Sequence, residues 1–187
     1  VWTTILNVLS WITYFDIGIG HGLRNKLAEN LDREGNEIKC RKYVSSAYFA
    51  FGLIVLCAMC GFSVAAIFVN WNSIFGVSKD NVSDNLTCVM CISVIFMCIN
   101  FLLSLCKSIY YALQKNSTVG LMGVLQQSLM LMGVLYLSVT SKASLLKVAI
   151  FYGLSDFIVE ILFTLILTRK SKIFVPSLKF VSKEETK

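Results

Sequence analysis

The sequence has few of the residues on which catalysis and helix breaking depend. It contains a single histidine, His21, and a single proline, Pro176, in 187 residues. Neither a Gly-x-Ser-x-Gly motif nor a Walker phosphate-binding loop occurs, so no nucleophile with its base and no nucleotide site is indicated. Because Pro176 lies beyond the last apolar run, no proline interrupts a helix within those runs. We therefore expect a protein that is not an enzyme and needs no cofactor.

Charge is also scarce. Only 15% of the residues are charged and 56% are hydrophobic, and the mean hydropathy is +0.71, unlike a soluble globular domain. Several apolar runs exceed the roughly 18 residues that a helix needs to cross the hydrocarbon core. None shows the alternation typical of a β-barrel strand. The predicted fold class is an all-α membrane protein, a bundle of several spanning helices.

The apolar runs predict five spans, at about residues 2–19, 43–69, 86–113, 119–139 and 145–168. Leucines at helical spacing in the loop before the second span predict a short amphipathic helix at the membrane surface. About fourteen of the 17 Lys and Arg residues fall on one side of this layout. The positive-inside rule then places the basic tail, residues 169–187, in the cytoplasm. Since five spans put Val1 on the opposite side, we expect the chain to continue at both ends, with one helix before Val1.

Seven cysteines include the pairs Cys57-x-x-Cys60 and Cys88-x-x-Cys91, a spacing that zinc sites also use. Most of the seven lie within apolar runs, without the polar, turn-forming surroundings of a structural zinc site. Free cysteine behaves there as a small apolar residue, so we expect no metal site. Loops on one side of the membrane account for the net charge of +6, so nucleic acid is not an expected partner.

Two carboxylates lie inside the fifth predicted span. Asp156 and Glu160 are four residues apart and therefore share one helix face. An ionisable group near the membrane centre costs about 2.5–3.5 kcal/mol, so each one calls for a reason. One interpretation is a proton or cation site that couples an ion gradient to movement. The other is a protonated or hydrogen-bonded pair that closes a contact between helices.

Two further polar side chains lie in the third and fourth spans. Lys107 lies in the half of its span nearer the cytoplasm, where it either extends to the membrane interface or binds an anion in a cavity. Gln126 and Gln127 are adjacent, so only one of them can face a given neighbour. Gln126 either hydrogen-bonds the hydroxyl groups of a sugar or bonds to another helix.

A glycine-rich stretch joins the first span to the charged loop. It reads FDIGIGHGLRNKLAE, and its glycines, Gly18, Gly20 and Gly22, are expected to form a turn that a salt bridge from Asp16 to a following base would hold. The following bases are Arg24 and Lys26. Arg binds phosphate through paired hydrogen bonds and Lys as a point charge, and the start of a helix also favours an anion. These bases therefore bind a phosphate group of the substrate or serve only to set the topology.

In residue type and spacing this stretch resembles the turn after the second helix of bacterial oligosaccharide flippases, the polysaccharide-biosynthesis branch of the superfamily that holds the MATE exporters. That motif reads roughly aromatic-Asp-(Leu/Ile)-Gly-(Leu/Ile)-Gly-x-Gly-Leu-Arg-Asn-Lys. His21 occupies a place where Asn is more usual. The resemblance implies two lobes of six helices around a central cavity. Residues 1–168 would then supply helices two to six of the N-terminal lobe, and residues 169–187 the start of the cytoplasmic inter-lobe linker.

The resemblance also implies a function in the bacterial inner membrane. The substrate would be a polyprenyl-pyrophosphate-linked oligosaccharide, with undecaprenyl as the lipid, flipped to the outer leaflet for O-antigen, capsule or exopolysaccharide synthesis. A polysaccharide polymerase and assembly proteins would be further partners, besides the lipid bilayer. Two alternatives stay open, a cation-coupled multidrug exporter of the MATE type and a membrane scaffold subunit that transports nothing.

Overall fold

The computed structural model describes residues 3, 7, 18–31, 36–69, 71, 86–140 and 144–177. The described chain contains six α-helices and no strand: α1 (Ile19–Asn30), α2 (Glu37–Phe68), α3 (Leu86–Leu103), α4 (Leu105–Ala112), α5 (Asn116–Val139) and α6 (Leu145–Lys170). A short 3₁₀ turn, Lys172–Phe174, follows α6. The predicted all-α class is confirmed.

Four helical stretches are long and apolar enough to cross a membrane. They are Glu37–Ala65, Leu86–Ala112, Asn116–Val139 and Leu145–Lys170. The second stretch joins α3 to α4 across Ser104, whose backbone oxygen accepts a hydrogen bond of 2.9 Å from the amide of Lys107. That bond spans three residues instead of four, so the helix tightens locally just before Lys107. The first predicted span, 2–19, lies outside the described residues except at Thr3, Asn7, Gly18 and Ile19.

The predicted amphipathic helix is α1. Its Leu23 and Leu27 are buried against α4 and the first part of α2, whereas Arg24 and Lys26 are exposed. Gly18 precedes the helix with φ of 77°, a conformation that a residue with a side chain resists. Its carbonyl oxygen accepts a hydrogen bond of 2.7 Å from the amide of Gly22. Of the three glycines, only Gly18 therefore lies in a turn, because Gly20 and Gly22 already lie inside α1.

The helices pack through α6, which contacts both α3 and α5. Gly153 of α6 lies directly under the ring of Phe96 of α3, and its carbonyl oxygen accepts a hydrogen bond of 3.1 Å from Asn100 Nδ2. On the opposite contact, Gly133 of α5 lies against the ring of Phe151. Both glycines allow the close helix approach that stabilises bundles in lipid, where no hydrophobic force acts between helices.

Two buried clusters mark the ends of the bundle. At one end Leu23 and Leu27 of α1 pack with α4, the start of α2 and Phe174 of the 3₁₀ turn. The amide of Ser177 donates a 3.0 Å hydrogen bond to Ser45 Oγ of α2, so the chain after α6 folds back over this end. At the other end Trp71 packs with Leu86 and stacks on Phe62 with ring centroids 5.7 Å apart.

Apolar side chains also cover the outer faces of α2 and α5. Exposed residues there include Leu53, Leu56, Leu131, Met132 and Leu135. Such faces are unsuited to water and suited to lipid or to further helices, so the helices are those of a membrane-embedded protein. The seven cysteines are free thiols, and the described residues hold no group of three or more His, Cys, Asp or Glu side chains that could bind a metal ion.

Candidate functional site

A buried ion pair joins α4 to α6. The ammonium group of Lys107 lies 2.8 Å from Oε1 of Glu160, and the two side chains are 30% and 4% exposed. Glu160 lies ten residues before the end of α6, or about 15 Å at 1.5 Å per residue. That distance is about half the thickness of the hydrocarbon core. The pair therefore lies in the interior of the spanning bundle.

The irregular turn at Ser104 helps to place the lysine. Ser104 separates α3 from α4, and its hydroxyl donates a hydrogen bond of 2.7 Å to the backbone oxygen of Phe101. After this turn α4 buries its apolar residues Leu105, Cys106 and Ile109. Lys107 lies between them in the sequence and remains partly exposed, and its ammonium group contacts Glu160. Its ammonium group is thus engaged inside the bundle instead of being left at the membrane interface.

Gln126 of α5 adds a third helix to the cluster. Its side chain is buried, and Nε2 donates a long hydrogen bond of 3.5 Å to the same Oε1 atom of Glu160. The adjacent Gln127 is exposed, so only one of the two amides enters the bundle, as adjacency on a helix requires. One carboxylate oxygen thereby connects α4, α5 and α6.

Asp156 lies one turn before Glu160 and is only partly buried. Its carboxylate is close enough to interact electrostatically with the Lys107 ammonium, with Glu160 and with Tyr152. Lys107 therefore contacts Glu160 directly and interacts electrostatically with Asp156, and the two acids share a face of α6. Four of the polar residues that the sequence singled out inside the spans form one cluster: Lys107, Gln126, Asp156 and Glu160.

One oxygen of this cluster is left without a partner. Glu160 Oε2 is buried and accepts no hydrogen bond in the described structure. The backbone oxygen of the same residue accepts a hydrogen bond of 2.7 Å from Thr164 Oγ1, which leaves the side-chain oxygen unaffected. A buried acceptor without a donor costs about 1–3 kcal/mol, and more when it is charged. Such an atom calls for a proton, an ion or a ligand group.

Arg24 and Lys26 lie apart from this cluster, on α1. The guanidinium of Arg24 lies 5.0 Å from the ring centroid of Tyr111, and the ammonium of Lys26 lies 5.2 Å from that of Tyr43. Both distances suit cation–π contacts. Tyr111 is one turn beyond Lys107 on α4, so α4 contacts both the exposed bases and the buried cluster. Asp16, the expected partner of these bases, lies outside the described residues.

A second basic pair was not singled out by the sequence. Lys115, between α4 and α5, lies beside Lys170 at the end of α6, and repulsion by the Lys170 ammonium lowers the pKa of Lys115. The two lysines are 55 residues apart in the sequence, so only the packing of the helix ends brings them together. They add positive charge to the end of the bundle where Phe174 and α1 pack.

Comparison of the chain with protein-family models, with curated proteins and with solved structures found no match. Function must therefore be inferred from the glycine-rich motif that leads into α1 and from the buried cluster.

Proposed function

We propose that this chain is part of a transporter that flips a polyprenyl-pyrophosphate-linked oligosaccharide across the bacterial inner membrane for surface polysaccharide synthesis. The observation that carries the proposal is the buried cluster of Lys107, Glu160 and Gln126 inside the spanning helices. Well-packed apolar residues of similar volume often stabilise a protein as well as a buried ion pair does, or better. A bundle that only had to pack would therefore gain little from these charges, whereas a transporter needs polar groups along its path.

The chemistry of the basic groups supports the choice of an anionic lipid. Arg24 and Lys26 are exposed on α1, and Lys115 and Lys170 lie together near the same end. A pyrophosphate head group offers several negatively charged oxygens that such bases can bind. Lys107, one turn from the Tyr111 ring under Arg24, would be the next positive charge on the way into the bundle.

The orientation belongs to the same proposal. By the positive-inside rule the end that carries these bases faces the cytoplasm, where a lipid-linked oligosaccharide is assembled. The tail after Lys170 would then be cytoplasmic, and a polymerase acting on the opposite side would receive the product. The lobe fold of the resembled flippases would supply the second half of the substrate path.

A multidrug exporter has less support. The described residues contain an apolar groove between α5 and α6, lined by Met132, Tyr136, Phe151 and Leu154, with a volume of about 260 Å³. Ligand pockets for small molecules usually exceed about 300 Å³ and contain a few convergent polar groups. The groove is smaller and almost wholly apolar, whereas the polar groups lie elsewhere.

The proposal is tested by deleting the complete gene in its native host and analysing the lipid extract by mass spectrometry. We expect finished lipid-linked repeat units to accumulate while surface polysaccharide is lost. Complementation with the intact gene should reverse both effects. Unchanged lipid-linked pools together with an intact surface would contradict the proposal, and altered drug susceptibility alone would select the exporter.

A further inference from the structure

The charges inside the described bundle do not balance. Lys107 contributes one positive charge, whereas Asp156 and Glu160 together contribute two negative charges when both are ionised. Among the described residues, the other titratable groups near these acids are Tyr48 of α2 and Cys106 of α4, which face Glu160, and Tyr152, which faces Asp156. Tyrosine and cysteine side chains are ordinarily neutral at pH 7. A net negative charge of one unit within the membrane interior costs free energy, so one further positive charge is needed.

The carboxyl group of Glu160 has one oxygen at which the additional positive charge could bind. Its Oε1 atom already contacts the Lys107 ammonium and accepts a hydrogen bond from Gln126, whereas Oε2 is buried without a hydrogen-bond partner among the described residues. An O–H group at either carboxyl would remove the excess charge without needing any extra space.

A metal cation fits this position less well. Hard cations require several oxygen ligands around them, and the described residues hold no group of three or more acidic or other ligating side chains. The ammonium of Lys107, bound to the same carboxyl group at 2.8 Å, would also repel a metal ion. A proton needs only one oxygen and no cavity.

We infer that the carboxyl groups of Asp156 and Glu160 together hold one proton at neutral pH. The positive charge of Lys107 sets this number. The proton comes from water and returns to it. The argument for one bound proton requires only that the helices span a membrane. A part in driving lipid transport would rest, in addition, on the proposed function.

Charge balance gives each variant a distinct proton count. Glu160→Gln leaves Asp156 opposite Lys107, and Asp156→Asn leaves Glu160 opposite Lys107, so either variant should hold no proton on the remaining acid. Lys107→Gln leaves two acids without a base and should hold two protons. The double variant Lys107→Gln/Glu160→Gln leaves one acid and should hold one.

The experiment is infrared difference spectroscopy of the purified full-length protein in lipid vesicles at neutral pH. It follows the carbonyl stretch of protonated carboxyl groups. We expect both single acid variants to lose the same amount of this band, and Lys107→Gln to gain an equal amount. Glu29→Gln, an exposed acid on α1, is the matched control and should leave the band unchanged.

Other results would overturn the inference. If only one acid variant loses the band, that carboxyl is protonated independently of its neighbours. If neither loses it, or if Lys107→Gln gains nothing, the cluster does not balance its charge with protons. If Glu160→Gln fails to fold, Asp156→Asn is compared with the double variant: the first should lose the band and the second should keep it, and equal bands in the two would overturn the inference. Because the readout needs no substrate, a proton site present in a protein whose deletion leaves lipid pools unchanged would refute the flippase alone.

Discussion

Lys107 and Glu160 are 53 residues apart in the sequence, yet their charged atoms lie 2.8 Å apart inside the bundle. The contact joins α4, whose Tyr111 ring also contacts Arg24 of α1, to α6, the helix on which α3 and α5 pack. Removing one member of a buried ion pair leaves an uncompensated charge, whereas removing both does not. The contact should therefore affect stability as well as the proposed transport, and the two effects can be measured separately.

Replacing Glu160 by Leu should lower the free energy of unfolding by about 3 kcal/mol, the lower end of the range for breaking a buried pair, because Lys107 remains 30% exposed. The double variant Lys107→Met/Glu160→Leu should recover most of that loss, since the ion pair is removed as a whole and Asp156, the remaining acid, is neutral once it is protonated. Thermal unfolding in detergent measures both. A double variant as unstable as the single one would show that the pair is not coupled. We expect transport to be lost in both variants.

The contact between α3 and α6 predicts a strong effect at one glycine. A Cβ atom on Gly153 would collide with the ring of Phe96. Gly153→Ala should therefore destabilise the protein by about 1–3 kcal/mol, as overpacking does. Gly120→Ala on α5 is the control, because nothing lies within 4 Å of the added atom. Equal melting temperatures for the two variants would contradict this packing.

Gly18 predicts a different kind of effect. Its φ of 77° costs a residue with a side chain roughly 1–2 kcal/mol. Gly18→Ala should destabilise the start of α1 by about that amount, even though nothing lies within 4 Å of the new atom. Gly22→Ala, in equally open space inside the helix, should stabilise it by about 0.5–1 kcal/mol. Proteolysis near α1 would compare the two, and a Gly18 variant that resists cleavage as well as the Gly22 variant would rule out the strain.

Arg24 offers the most direct test of head-group binding on α1. Charge-assisted contacts to phosphate are worth about 1.5–3 kcal/mol, and each 1.4 kcal/mol is a factor of ten. Arg24→Glu in the complete gene should therefore reduce export of the lipid-linked unit at least about tenfold at equal expression. Lys39→Glu, on an exposed part of α2, controls for a general loss of positive charge. Equal losses in both variants would assign Arg24 a role in topology instead.

Some of these features can be read from the sequence and some cannot. The apolar runs predicted the helices around α2, α3, α5 and α6, because a membrane fixes the length of a spanning segment. Asp156 and Glu160 stood out because ionised groups are rare in such runs. The sequence could not show which residue pairs with Glu160, since neither periodicity nor composition says which helices become neighbours. Lys107 was open to an interfacial interpretation for the same reason.

The glycines also show that the sequence predicts helices better than it predicts contacts between them. The cluster of Gly18, Gly20 and Gly22 predicted a turn, but only Gly18 has a positive φ, because α1 begins as early as Ile19. Gly153 carried no local signal at all, and its role depends on Phe96, 57 residues earlier in the sequence. Local patterns predict elements, whereas close packing between elements is a property of the assembled bundle.

The proposed transport of an anionic lipid-linked oligosaccharide depends on the polar cluster within the membrane. The most direct measurement expresses the complete gene, wild type or Glu160→Gln, in the deletion strain and determines in which leaflet the lipid-linked repeat units lie. Glu160→Gln removes the charge but keeps the size of the side chain. With equal protein levels, the account predicts that the units reach the outer leaflet with the wild type and remain in the inner leaflet with the variant. Outer-leaflet units at wild-type levels in the variant would contradict it.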